Sequence, residues 1–496
     1  MDLLDPQVCY RALQTRDPRF DARLFVGVAS TGIYCRPICP ARTPKLENCR
    51  FFKSAAAAQL AGFRPCLRCR PEAAPDIAAW RGTSNTVSRA LALIGEGALD
   101  GEQAGVENLA SRLGLGERHL RRLFHQHLGA PPIAVAQTRR ALFAKQLVED
   151  TPMPMAEVAL AAGYGSLRRF NEAFQAVFHR PPTALRRKSR REVPEGETIG
   201  VGVTLRLGYR PPYDWQAMLT YLAARAIEGV EQVAQGRYRR TLSVDGRCGW
   251  IEIAHQPEHN AVSATICPPS LPALPGIVAR IRRAFDLCAD IEAINRHLLQ
   301  DPLLAPLVAR HPGLRPAGGW DGFELATRAV LGQQVSVAAA RHLGRELVSC
   351  CGQTLPGPQS PGLFLTFPGP VQVAGADLGG LGMPGARKAA LKALAQAVLN
   401  EPDIFHPSAT LDESIAKLCR IPGIGAWTAH YIALRALRET DAFPASDVGL
   451  LRSAARSGEI RPNPAGLLER AEPWRPWRAY AAQHLWTAES KENAHA

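Results

Sequence analysis

Tyr34-Cys35-Arg36-Pro37-Ile38-Cys39 and Arg64-Pro65-Cys66-Leu67-Arg68-Cys69-Arg70-Pro71 decide how the first part of this 496-residue chain folds. The cysteines read C-x3-C, then 26 residues, then C-x2-C. Each short pair makes one knuckle, and two knuckles brought together give the tetrahedral sulfur set that Zn²⁺ prefers. One Zn²⁺ on Cys35, Cys39, Cys66 and Cys69 is therefore expected. Spacing alone favours a closed structural site. Arg36, Arg68 and Arg70 argue for something more, because a structural knob does not need them and a site that approaches phosphate does.

Working outward, the length predicts three or four domains with separate cores. The chain opens Met1-Asp2-Leu3-Leu4-Asp5, without a basic start and an apolar run, and no stretch is long enough to span a bilayer. The eight cysteines beyond the zinc set are scattered, with Cys350 and Cys351 adjacent, which argues for a reducing compartment rather than a disulfide framework. Charge is uneven. The whole chain is 59 − 45 = +14, residues 1–192 are 29 − 17 = +12, and the remaining 304 are 30 − 28 = +2. The footprint for a polyanion thus lies in the first two-fifths.

Residues 81–190 read as helical. Val106 to Gly114 is amphipathic and ends at glycine, and Glu117-Arg118-His119-Leu120-Arg121-Arg122-Leu123-Phe124 starts a second helix. The layout repeats at Met155 to Tyr164 and Ser166-Leu167-Arg168-Arg169-Phe170-Asn171-Glu172-Ala173-Phe174. Helix, glycine turn, helix is the helix-turn-helix layout, with Arg121, Arg122, Arg168 and Arg169 as candidate DNA contacts. A linker is expected over Arg186–Arg191 and Val193–Glu197, where the chain turns basic and then polar.

Later, Ile421-Pro422-Gly423-Ile424-Gly425-Ala426-Trp427 reads as a helix-hairpin-helix turn. Gly423 and Gly425 would permit a tight turn whose backbone N–H groups grip a DNA phosphate without sequence preference. Twenty residues past Trp427 stands Asp447. Taken alone it reads as a helix N-terminal residue beside an N-cap Ser446.

Family resemblances sharpen these readings. Asp17-Pro18-Arg19-Phe20-Asp21, Thr31 to Pro37 and Gly62 to Cys66 resemble the N-terminal zinc domain of the bacterial adaptive-response Ada family. The resemblance implies that Cys35 is a zinc-bound nucleophile that takes a methyl group from a DNA methylphosphotriester, once and irreversibly. Residues 81–192 resemble the tandem helix-turn-helix module of AraC-type regulators. The Pro-Cys-His-Arg motif of the Ada methylguanine transferase does not occur in the chain. Instead Leu205-Arg206-Leu207, Pro211-Pro212-Tyr213-Asp214-Trp215 and Leu222 to Ala226 resemble 3-methyladenine DNA glycosylase II.

That second resemblance implies a chiefly structural α+β segment to about residue 285. It implies Asp447 as catalytic aspartate, and a base pocket of Trp427, Tyr431 and Trp486. It also implies a DNA-intercalating loop around Arg328–Ser336, with Gln334 where an apolar wedge is usual. Trp427 stands where bifunctional relatives carry a lyase Lys, which implies a monofunctional enzyme. Aromatic walls suit a cationic alkylated base, while Trp474 and Trp477 read as packing.

The expected architecture is multidomain α+β. Its parts are a zinc methyl-acceptor domain (1–80), an all-α tandem helix-turn-helix domain (81–192), a small α+β domain (200–285) and an all-α helix-hairpin-helix glycosylase domain (286–490). The expected partners are double-stranded DNA, damaged and promoter, and RNA polymerase, with no membrane, in the bacterial cytoplasm. Two rivals are a transcription regulator with a dead glycosylase scaffold and a constitutive glycosylase whose zinc is only a staple.

Overall fold

The computed structural model describes residues 5–73, 85–100, 105–189, 202–244, 246–355, 362–406, 408, 410–455 and 461–495. Of the expected linker, Arg186–Ser189 is the end of a helix, and Arg190, Arg191 and Val193–Glu197 lie outside the described residues. Among the described residues no helix is long and apolar enough to cross a membrane. Contacts divide the chain into two units: residues 1–210, 256–279 and 287–289, and residues 211–255, 280–286 and 290–496. The expected 200–285 segment has residues in both.

The first unit begins with α1 (Pro6–Gln14), whose N-cap Asp5 accepts from the N–H groups of Gln7 and Val8. A four-stranded sheet follows, made of β1 (Phe25–Val28), β2 (Ile33–Cys35), β3 (Cys49–Phe52) and β4 (Arg64–Pro65), in the order β3-β1-β2-β4. β1 is antiparallel to β2 and β3, and β2 is parallel to β4. The sheet buries Leu24 and Val26 with Cys9, Ala12 and Leu13 of α1. Phe25 and Tyr34 pack with Phe63 and with Ala58 of α2 (Ala55–Leu60). Gly27 has no room for a side chain, since a Cβ there would lie 2.8–2.9 Å from the rings of Phe52 and Phe63.

The helical part holds α3 (Asn85–Gly95), α4 (Val106–Arg112), α5 (Glu117–Leu128), α6 (Pro132–Asp150), α7 (Met155–Ala161), α8 (Leu167–Phe178) and α9 (Pro182–Ser189). Two copies of one pattern are visible in its chemistry. α4 and α7 are each followed by a left-handed glycine, Gly114 and Gly163. α5 and α8 each bury one residue every four, Leu120, Phe124 and Leu128 against Phe170, Phe174 and Phe178. Each then ends at a left-handed cap, Gly129 or His179, and a Pro-Pro pair starts the next helix.

α6 also meets the sheet part through buried charge. Lys145, fully buried, donates to Glu72 and, at 3.0 Å, to Glu149. Breaking such a pair by removing one partner costs about 3–5 kcal/mol. This unit further holds β5 (Val203–Gly208), antiparallel to the strand Ala261–Cys267.

The second unit carries α10 (Trp215–Arg225), then β6 (Glu231–Ala234), β7 (Arg237–Val244) and β8 (Arg247–Gln256) in antiparallel succession. Its helical body includes α11 (Gly322–Leu331), α12 (Val337–Cys351), α13 (Gly385–Asn400), α14 (Leu411–Cys419), α15 (Ala426–Ile432), α16 (Val448–Ser453) and α17 (Arg478–His495). Trp474 and Trp477 are buried, and the Trp474 indole N–H donates to Asp301 at 2.8 Å. Both serve packing, as expected.

Candidate functional site

The parallel pairing of β2 with β4 sets Tyr34 opposite Pro65. The next residue on the first strand is Cys66's neighbour in space: Cys35 ends β2, Cys66 follows β4, and the Cys66 N–H donates to the Tyr34 carbonyl at 3.0 Å. The remaining two thiols come from the tight turns after these strands. All four sulfurs lie within 4.8 Å of one another, with Cys39 and Cys66 4.0 Å apart. A tetrahedral Zn²⁺ with Zn–S bonds of about 2.3 Å needs about 3.8 Å between sulfurs, so the donor set fits this ion. Cys39, Cys66 and Cys69 are 5–7 % exposed, and Cys35 is half-buried.

Two of the three flanking arginines do not face outward. Arg36 is buried and its guanidinium forms a two-pronged ion pair with Asp21, while its backbone N–H donates to the Cys69 sulfur at 3.4 Å. Arg70 pairs with Asp150 at 2.7 Å and Glu72 at 3.0 Å. Their carboxylate partners lie as far as 80 residues away, so the crowding of arginines around the cysteines is mostly internal scaffolding. Arg68 is exposed. Tyr34, beneath the site, stacks edge-on against Phe25 and accepts from Gln59 at 3.1 Å, and burial pushes its phenol up.

On the helical part, Arg121, Arg122, Arg168 and Arg169 are all exposed. Arg121 pairs with Glu117 and Arg168 with Glu172, each one turn along its own helix. Such surface pairs are weak and are readily exchanged for another anion. The first helix-turn-helix is tied to the zinc segment: the α2 N-cap Ser54 donates to the Leu128 carbonyl at 2.7 Å, at the end of α5.

In the second unit Asp447 is itself the N-cap of α16, accepting from the Leu450 N–H at 3.0 Å, so the cap is not Ser446. Its two oxygens also accept from two indoles: Trp486 Nε1 donates to Oδ1 at 2.8 Å and Trp427 Nε1 to Oδ2 at 2.9 Å. Trp427 stacks on Tyr431 with centroids 5.4 Å apart and planes 10° apart, and Tyr431 meets Trp486 edge-on at 6.3 Å. The four residues expected at catalysis and base binding therefore form one cluster, joined by hydrogen bonds and ring contacts.

The hairpin turn links α14 to α15. Gly423 has φ +87°, and a Cβ there would lie 2.3 Å from that of Ala390 in α13, so this position demands glycine twice over. Gly425 has φ −88°, and a Cβ would meet nothing within 4 Å. The expectation that both glycines shape the turn holds for Gly423 alone. Gln334, in the loop between α11 and α12, is exposed with φ +56°. Its neighbour Gln333 donates to the Gly423 carbonyl at 2.9 Å and to Thr428 at 3.1 Å, fastening that loop to the hairpin.

Sequence reasoning missed Gln333, and it missed Tyr221, Arg225 and Arg435. Tyr221 and Arg225 come from α10, in the segment expected to be chiefly structural. Burial would raise the Tyr431 phenol, but the guanidiniums of Arg435 and Arg225 hold it below its ordinary value; burial pushes Tyr221 up to about 12. Nothing local marks these residues: Gln333 meets partners 90 and 95 positions on, and Tyr221 meets Tyr431 across 210.

Compared with known proteins, residues 8–72 match the metal binding domain of Ada, residues 109–188 a helix-turn-helix domain, and residues 204–321 the AlkA N-terminal domain. The "probable bifunctional transcriptional activator/DNA repair enzyme AlkA" of Mycobacterium tuberculosis (strain CDC 1551 / Oshkosh) is 41% identical over 485 residues, 97% of this chain and 96% of its own. DNA-3-methyladenine glycosylase 2 of Escherichia coli (strain K12) is 36% identical over 291 residues, 57% of this chain and 96% of its own. Among solved structures, a 3-methyladenine DNA-glycosylase from Archaeoglobus fulgidus covers 57% of this chain and 98% of its own at a TM-score of 0.52; at 20% identity the likeness is one of fold.

Proposed function

The chain belongs to the family of bifunctional transcriptional activator/DNA repair enzymes, and from that premise we propose that it senses DNA methylation at one site and excises alkylated bases at another. Residues 1–80 carry the sensor, 81–192 the promoter-binding module, and 200–490 the glycosylase. Double-stranded DNA is the partner of all three, RNA polymerase is contacted when a promoter is activated, and the work is done in the bacterial cytoplasm.

At the sensor, Cys35 attacks the methyl carbon of a methylphosphotriester. The S–C bond forms as the O–C bond breaks, and the electron pair leaves with the oxygen, restoring a phosphodiester anion. Bound Zn²⁺ supplies the field that keeps the four sulfurs as thiolates at neutral pH. The half-buried position of Cys35, beside three buried thiols, supports its choice as acceptor. Each methylation removes one negative charge from the DNA-facing side, and binding through the helix-turn-helix module tightens.

At the glycosylase, a flipped alkylated base such as 3-methyladenine stacks against Trp427, Tyr431 and Trp486. The C1′–N bond breaks with its electrons going to the base, which leaves neutral. Positive charge builds on C1′ and O4′, and Asp447 stabilises it through space; water then adds at C1′ and a proton is lost. With no Lys at Trp427, no Schiff base forms and the strand stays intact.

The observation that carries this reading is the Asp447 carboxylate, fixed by two indole N–H groups that belong to the pocket's own walls. Incubating the wild type with methylated duplex DNA tests it. Free alkylated base, an uncut abasic strand that breaks only in hot alkali, and one added methyl mass on Cys35 are the expected products. No released base would leave the rival of a regulator with an inert scaffold.

A further inference from the structure

The aromatic cluster around Asp447 is not electrically neutral, and its positive charge enters from an unexpected element. The Tyr221 hydroxyl of α10 lies 3.1 Å from that of Tyr431. The Arg225 guanidinium stacks on the Tyr221 ring, Cζ 3.9 Å from the centroid, its Nη1 donates to the Tyr221 carbonyl at 3.4 Å, and its charge helps hold the Tyr431 phenol below its ordinary value. Its backbone is held as well: the Arg225 carbonyl accepts from Arg328 at 3.0 Å. Arg435, buried, has Cζ 4.4, 5.2 and 5.3 Å from the rings of Tyr221, Tyr431 and Trp486. It is anchored by bonds to the Ala317 carbonyl at 2.8 Å and to Gln483 at 3.2 Å.

Two guanidiniums thus sit on the aromatic cluster that holds one carboxylate, Asp447: Arg435 on Tyr221, Tyr431 and Trp486, and Arg225 on Tyr221. Rings already facing a cation offer less to a second one. Arg435 is committed to its carbonyl and amide partners. Arg225 is half-buried, and beyond the Nη1 contact to the Tyr221 carbonyl a guanidinium still has further N–H donors and its charge to offer an occupant.

We propose that Arg225 is a specificity-determining residue of the base pocket. Its guanidinium disfavours a cationic base and offers N–H donors to a neutral purine with a carbonyl or ring-nitrogen acceptor edge, and Tyr221 is the positioning residue that holds it there. The inference rests on the glycosylase reading and deepens it: charge selection comes from Asp447 set against Arg225, and the aromatic walls contribute shape. Removing one partly exposed unit charge from beside the base should change the preference about five- to tenfold.

The experiment compares single-turnover base release from two duplexes that differ only in the lesion, cationic 7-methylguanine or neutral hypoxanthine. In Arg225→Met the cationic-to-neutral rate ratio should rise about five- to tenfold. In Arg225→Lys, which restores the charge, it should stay within about twofold of wild type. Tyr221→Phe should move it the same way by less. Arg225→Gln replaces the Met variant if that fails to fold. An unchanged or lowered ratio in the charge-removing variant, or a wild type that releases only the cationic base, overturns the inference and leaves the glycosylase reading standing. A wild type that releases neither base removes the reading, and the inference with it.

Discussion

The zinc centre and the Asp447 centre are both concentrations of negative charge in partly buried places, and the molecule tolerates them by opposite means. Four sulfurs within 4.8 Å of one another become a stable set of thiolates only with a cation among them. Asp447 is met by neutral donors instead: two indole N–H groups and the Leu450 backbone N–H. One centre is completed by something the chain must acquire. The other is organised by hydrogen-bond donors of the chain itself before any substrate arrives. The two should therefore fail differently when they are attacked.

The largest expected effect is at the first centre. Cys35→Ala should abolish methyl uptake from methylphosphotriester DNA, read as mass gain on the protein, while base release continues at the wild-type rate. Residual uptake on another cysteine would refute the assignment. Next comes removal of the metal. The sheet segment has small apolar clusters, so strong chelation should cost it order, seen as proteolytic cleavage within residues 5–73. Base release should survive the same treatment, because the donors that hold Asp447 are indole and backbone N–H groups of the chain. Parallel loss of both activities would break the contrast.

At the second centre Asp447→Asn keeps size and removes charge. Base release should fall by about two to three orders of magnitude, with binding to an abasic duplex retained. Trp486→Phe keeps an aromatic wall and deletes one N–H bond to the carboxylate, so a smaller loss of about tenfold in rate is expected. Equal losses in the two variants would mean that Trp486 does more than orient Asp447.

The contrast also explains what could be read in advance. The zinc ligands were legible because a metal forces spacing onto the chain, and the two helix-turn-helix units because helix faces repeat every three to four residues. Asp447 was legible only beside the hairpin twenty residues upstream. Arg36 and Arg70 were misread as phosphate contacts because Asp21 and Asp150 reach them through the fold. Tyr221 and Arg225 were invisible for the same reason. Pairings across two hundred residues leave no local pattern, and burial decides whether an arginine serves the ligand or the scaffold.

The smallest expected effects separate two glycines that look alike in sequence. Gly423→Ala must hold a left-handed backbone and push a methyl into Ala390, so it should destabilise the second unit by about 2 kcal/mol, read from denaturant unfolding. Gly425→Ala meets neither obstacle: its backbone is extended and the space in front of it is open. Stability should stay within about 0.5 kcal/mol of wild type. If the N–H groups at the start of α15 take a DNA phosphate, that open space is where the phosphate must come, and a methyl there holds it off. Gly425→Ala should then weaken binding to an undamaged duplex by about three- to tenfold, lengthening a contact whose loss costs on the order of 1 kcal/mol. Wild-type affinity in Gly425→Ala would show that the turn's exposed side does not meet DNA, and that Gly423 is there for the fold alone.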